Sequence, residues 1–138
     1  MAKDIFHNTV KIALQKEGWQ ITHDPYQLRY GIADIYIDLA AESAMAAEKE
    51  GSKIAVEVKS FISGSNISAF HTALGQFLNY RIAIEVSDEP GRILYLAVPR
   101  DAYQTFLRFE PAKTVIQRYQ VRLIVYNPNS EAIEQWIE

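Results

Sequence analysis

The sequence predicts an α/β domain whose mixed sheet is covered by helices, and three observations carry that expectation. Apolar residues alternate at period two in "ADIYIDLA" (33–40) and "KIAVEVKSF" (53–61), and run unbroken in "RILYLAVP" (92–99). They recur at helical spacing over 3–17 and 67–84. The two kinds of segment interleave in the order α-β-β-β-α-β-α-β-α, the pattern of a sheet with helices packed on it. A chain of 138 residues, 49% apolar and 22% charged, suits one domain over 1–138 with a single core.

Each element follows from local pattern. Phe6, Val10, Ala13 and Leu14 share a helix face, with Asp4 near its start and Gly18 to close it. "WQITH" (19–23) is a short strand ended by Asp24-Pro25. "YQLRYG" intervenes, and in "ADIYIDLA" Ile35, Ile37 and Leu39 fall on one face and Asp34, Tyr36 and Asp38 on the other. Residues 40–52 read equally as an alanine-rich helix or as a continued strand turning at Glu50-Gly51. Gly64, Ser65 and Asn66 form a loop and cap before the helix 67–84. That helix carries a bulky stripe (Phe70, Leu74, Phe77, Leu78) and a second one made of Ala69, Ala73, Gln76 and Tyr80. Further on, "RDAYQTFLRF" and "PAKTVIQRY" read as helices, "QVRLIVYN" (120–127) as a strand and "SEAIEQWIE" as a closing helix.

Charge is unevenly spread. Residues 1–59 carry −2, residues 60–125 carry +2 and residues 126–138 carry −3. That distribution is a poor footprint for binding a phosphate backbone by charge alone, so a nucleic-acid role needs a local basic patch, a metal or a partner. There is no cysteine, hence no disulfide framework or thiolate metal site. No apolar run is long enough to cross a bilayer, and Asp4 and His7 interrupt the segment where a secretory signal needs an apolar core. A cytoplasmic location is expected.

The chemistry-bearing feature is the charged face of "KIAVEVKSF". Ile54, Val56 and Val58 share one side of that strand, while Glu57 and Lys59 share the other. Magnesium takes one or two carboxylates and keeps water and phosphate in its other positions. A bound metal lowers the pKa of its water, and a nearby ammonium stabilises charge on a phosphate under attack. Glu57, Lys59 and an aspartate of the preceding strand, with the Val58 carbonyl, supply those parts. A strand with Glu and Lys on one face is otherwise the solvated side of a sheet.

Asp38, followed nineteen residues later by Glu57-Val58-Lys59, resembles the Asp…Glu-x-Lys signature of the restriction-endonuclease-like PD-(D/E)XK nuclease superfamily. Asp34 is an alternative for its aspartate. "GQFLNY" resembles the Gln-x3-Tyr motif of RecB-type nucleases through Gln76 and Tyr80, and His7 lies where some relatives place an acid or a histidine. Across the whole chain, "KDIFHNTVKIALQKEGWQITHDP", "YIDLAAE", "KIAVEVKSF" and "ALGQFLNYR" resemble the XisH family of cyanobacterial fdxN-element excision controlling factors. The resemblance implies a restriction-endonuclease-like core and a role in programmed excision of a DNA element, beside a site-specific recombinase and a small partner, XisI. It also implies Mg2+ or Mn2+ held by Asp38, Glu57 and Val58, with Lys59 and Gln76 completing the catalytic set. A family named for a genetic role does not establish cleavage, so two classes stand. One is a magnesium-dependent endonuclease, and the other is a regulatory DNA- or protein-binding factor on a nuclease scaffold. A scaffold for XisI or the recombinase would need no metal. A homodimer or higher oligomer is expected, with the tail "AIEQWIE" and the bulky helix stripe as interface candidates.

Overall fold

In the computed structural model, which describes residues 3–43, 52–62 and 64–138, a six-stranded sheet forms the centre. The elements are α1 (His7–Lys16), β1 (Trp19–His23), β2 (Tyr26–Tyr30), β3 (Ala33–Ile37), β4 (Leu39–Ser43), β5 (Lys53–Val58) and α2 (Asn66–Glu85). They are followed by β6 (Ile93–Pro99), α3 (Arg100–Ala102), α4 (Ala112–Arg118), β7 (Leu123–Asn127) and β8 (Ala132–Ile137). Strand order is β1-β4-β5-β6-β7-β8, with β5, β6 and β7 parallel and the other pairs antiparallel. The mixed α/β architecture expected from the sequence is what forms.

Both faces of the sheet are covered, which is why its middle strands are so apolar. Val10 and Leu14 of α1 pack with Ile54, Val56, Ile124 and Tyr126 on one face. Phe70, Phe77 and Ile84 of α2 pack with Ala55, Leu96 and Val125 on the other. The sheet is strongly curled. Its two edges are Trp19 on β1 and Trp136 on β8, yet their rings lie 5.8 Å apart. A flat sheet would hold six strands across roughly 24 Å at about 4.8 Å per strand.

Several expectations change. β2 and β3 form a hairpin of their own outside the main sheet, turned at Gly31 (φ 61°), so "YQLRYG" is a strand the pattern did not announce. Asp38 lies in a bend between β3 and β4. Ile37 therefore joins the core under α2 while Leu39 joins the core under α1, rather than sharing one face. Residues 40–43 are strand, and the expected turn at Glu50-Gly51 lies outside the described residues. The segment "RDAYQTFLRF" is a short helical turn running into a π-helical turn, Tyr103–Leu107.

The closing helix is a strand. Ile133 and Trp136 are three apart, a helical spacing, and in a regular strand they would face opposite sides. A bulge between β7 and β8 shifts the register after Val125–Gln135, so Tyr126 pairs with Ile133 while Ile124 pairs with Trp136. Both apolar side chains then reach the core under α1. Of the two segments expected as oligomer interfaces, the helix stripe gives Phe70 and Phe77 to the core, 2% and 0% exposed, while Leu74, Leu78 and the apolar side chains of β8 stay half-buried. No helix among the described residues is long and apolar enough to cross a membrane.

The bulged strand gives a direct check by chemical denaturation. Trp136→Ala removes an edge-to-face contact with Tyr95 (5.1 Å) and the contact with Trp19, and should cost about 2–4 kcal/mol. Gln135→Ala, on the exposed face, should stay within about 0.5 kcal/mol of wild type. Equal effects would contradict the strand.

Candidate functional site

The bend at Asp38 is fixed by the neighbouring strand. The Val58 N–H donates to Asp38 Oδ2 at 2.7 Å, and the Asp38 N–H donates to Glu57 Oε1 at 3.3 Å. Glu57 belongs to β5, on the face that α2 covers, and is 6% exposed. Each carboxylate thus commits one oxygen to a backbone N–H. The other oxygens face basic side chains, with His7 Nδ1 3.9 Å from Asp38 Oδ1 and Lys59 Nζ 3.6 Å from Glu57 Oε2.

Lys59 stands just past the end of β5, and its backbone is held on both sides. Its N–H donates to the Ala97 carbonyl at 3.0 Å, and its own carbonyl accepts the hydroxyl of buried Tyr126 at 3.0 Å. Asp4 ties the next residue to the start of α1, accepting from Ser60 N–H at 3.1 Å and from Phe6 N–H at 2.9 Å. The small-residue stripe of α2 lets Ala73 pack into the core. Gln76 and Tyr80, on the same side, line one cavity of about 250 Å³ with Asp38, Glu57, Val58 and Lys59. The structure therefore brings the expected set together. Gln76 makes no hydrogen bond to Lys59; its Oε1 is buried without a partner.

Asp34 does not join them. It pairs with Arg29 at 3.1 Å on the exposed side of the hairpin, and of the two candidate aspartates Asp38 is the one beside Glu57. His7 is 3% exposed, wedged between Asp38 and Asp24, with Nε2 2.7 Å from Asp24 Oδ1. Burial pushes the Asp24 carboxyl up, but hydrogen bonds from Lys11 and His7 outweigh it and hold the group below its ordinary value. An ionised Asp24 accepts, so Nε2 donates to it, while Nδ1, without a hydrogen-bond partner, faces Asp38.

Sequence reasoning missed Lys3, Asp4 and Tyr36, which also line the cavity. Asp4 was visible only as a helix-start residue. Tyr36 had a signal, its period-two relation to Asp38.

Burial and the adjacent Asp38 charge push Glu57 up to about 8, with Lys59 opposing. Burial likewise raises Asp38 against the Val58 hydrogen bond and the His7 charge. Tyr80 is pushed up to about 12 by burial and by the two carboxylates. Two crowded carboxylates whose charges are disfavoured, each with an oxygen free of backbone bonds, are a hard-oxygen donor set that suits a divalent cation. The orphaned Gln76 oxygen fits the same chemistry. Among the described residues there is no grouping of three or more acidic or histidine ligands, so water and substrate would have to complete the shell.

The XisH protein family model matches residues 1–134. A crystal structure of an XisH family protein from Nostoc punctiforme PCC 73102 is 49% identical, with a TM-score of 0.89, covering 98% of this chain and 100% of that one. A crystal structure of an fdxN element excision controlling factor protein from Anabaena variabilis is also 49% identical, with a TM-score of 0.88, covering 99% and 100%. No curated protein matches the chain.

The raised Glu57 carboxyl sets a pH dependence. A carboxyl whose folded pKa is about 8, against 4.5 unfolded, binds its proton more tightly in the native state. In the absence of divalent cations, stability should therefore fall as pH rises from about 4.5 to about 8 and level off beyond. Glu57→Gln should flatten that slope and be more stable than wild type at pH 8 by a few kcal/mol, as read from urea unfolding at a series of pH values. A wild-type slope that survives the substitution would assign it to other groups.

Proposed function

The chain belongs to the XisH family, a member of which is an fdxN element excision controlling factor protein, and we propose that it serves excision of a DNA element as a metal-dependent endonuclease-like protein. The observation that carries this reading is the shared cavity of Asp38, Glu57, Lys59 and Gln76. In it a buried and a half-buried carboxylate, an ammonium and an unpartnered amide oxygen meet.

Asp38 and Glu57 would hold magnesium or manganese, which when bound supplies an activated water and neutralises phosphate charge. The chain's own residues do the rest. Lys59, 3.6 Å from the free Glu57 oxygen, is placed to meet a phosphate oxygen developing negative charge. Its backbone anchors at Ala97 and Tyr126 limit its wander, which favours a reactive geometry. Gln76, half-buried on the same cavity wall, has a buried oxygen available to orient water or metal. The Asp24–His7 pair buttresses the far side of Asp38. In this reading the protein works in the cytoplasm on DNA, with an XisI-like protein and a site-specific recombinase as partners and more than one copy in the assembly.

A second reading has its own observation. The cavity wall carries Asp4, Asp38 and Glu57 against Lys3 and Lys59, in a chain of net charge −3. Without a cation that wall gives phosphate no net attraction, which favours a regulatory DNA- or protein-binding factor on the same scaffold.

The two separate in a paired assay. Under the catalytic reading, magnesium or manganese raises the melting temperature of wild type, and Glu57→Gln abolishes both this shift and any nicking of DNA. Lys59→Ala should keep the metal-induced shift while lowering turnover by roughly 10²–10³-fold. No shift and no nicking, with an XisI-like partner present, would establish the regulatory reading.

A further inference from the structure

A second polar cavity lies at the opposite end of the parallel strands. Its walls come from the last turns of α2 (Arg81, Ile84, Glu85), the approach to β6 (Arg92) and the residue before β7 (Arg122), and it measures about 180 Å³. Register pairs Ile54 with Ile93 and Glu57 with Leu96, so Glu57 lies three residues further along, about 10 Å at roughly 3.3 Å per residue. The two cavities share no lining residue.

We propose that this cavity is a phosphate-binding site in which Arg81 and Arg122 are the ligand-holding residues. Arg81 is already oriented. Its guanidinium donates to the carbonyls of Gln120 (2.9 Å) and Tyr119 (2.8 Å) and lies 5.1 Å from the Phe77 ring centre. Those bonds use two of its five N–H groups and neutralise none of its charge. Arg122 has neither a carboxylate within ion-pair distance nor a side-chain hydrogen bond among the described residues. Two part-buried guanidiniums around one small cavity, neither with a carboxylate in ion-pair contact among the described residues, leave an electrostatic demand that an oxyanion meets.

Arg92 closes the floor of the cavity, its charge answered by Glu89. Its side chain is fully buried, bonded to the Ile54 carbonyl at 2.8 Å and to Glu89 at 2.8 Å, and its Nε is buried without a partner. The lone acidic side chain on the wall, exposed Glu85, opposes an anion. Guanidinium forks match the paired oxygens of a phosphate. A volume below the roughly 300 Å³ at which pockets begin to hold whole drug-sized ligands suits a phosphate group rather than an entire nucleoside. The group can belong to free phosphate or to a nucleic-acid backbone, and the site does not depend on the cleavage reading.

Titration of the full chain with inorganic phosphate at fixed ionic strength, followed by amide and arginine Nε–H NMR shifts, tests it. Shifts are expected at Arg81, Arg122 and the 91–94 segment but not at Glu57 or Gln76. Arg122→Gln should weaken binding at least about tenfold, and Glu85→Gln should tighten it a few-fold. Because Arg81 also caps two carbonyls, the charge-specific pair at 122 and 85 keeps a folding defect from imitating the result. A parallel salt titration of a short DNA duplex separates the sources. If a backbone phosphate occupies the site, Arg122→Gln lowers the slope of log affinity against log salt by about 0.9. If the slope is unchanged while phosphate binding is lost, the ligand is a free phosphate. Phosphate shifts no larger than those from matched sodium chloride, or wild-type affinity in Arg122→Gln, would overturn the proposal.

Discussion

A charged side chain on a strand buried from both sides is the constraint around which the molecule is organised. β5 presents Val56 and Val58 to the core under α1, so Glu57 must point beneath α2, where its ionised form is costly. The surroundings answer that cost locally. The backbone of Asp38 donates to it and Lys59 lies beside it; the chain breaks its strand at Asp38, whose own carboxylate bonds the Val58 N–H and adds to the crowding of charge. That break sends β3 out of the main sheet into a hairpin, and it moves Ile37 and Leu39 to different cores.

The curl of the sheet serves the same end. α1 is gripped by the β7–β8 edge: the Trp136 indole donates to Glu17 at 3.0 Å, and Lys16 donates to the Ser130 carbonyl at 2.8 Å. With α1 fixed, its N-terminal approach places Asp4 on the loop after β5, and His7 between two aspartates. The bulge in the β7–β8 pair is therefore connected to the site through α1, although none of its residues lines the cavity.

Charge is distributed in a way the net value conceals. The carboxylates gather where β5 ends, and Arg81, Arg92 and Arg122 gather where β6 begins, only Arg92 of the three being paired with a carboxylate among the described residues. Opposite ends of α2 and of the parallel strands thus offer unlike chemistries, one suited to a cation and one to an anion.

The sequence by itself determined the α/β class, a strand within 53–61, the long helix over 67–84 and the pairing of Glu57 with Lys59 on one face. These follow from period-two and helical spacing, which depend on neighbours along the chain. It also placed Gln76 and Tyr80 on one helix side. Only the tertiary structure decided between Asp34 and Asp38 as the neighbour of Glu57, because both share a parity and the difference lies in where the strand leaves the sheet. The same holds for the last strand: "AIEQWI" has helical spacing, and only pairing with β7 through a bulge makes that spacing fit a sheet. Asp4, Lys3 and the Tyr126 hydroxyl reach the site through contacts between segments far apart in the chain. No local pattern encodes such contacts, because they exist only once α1, β5 and β7 are packed together.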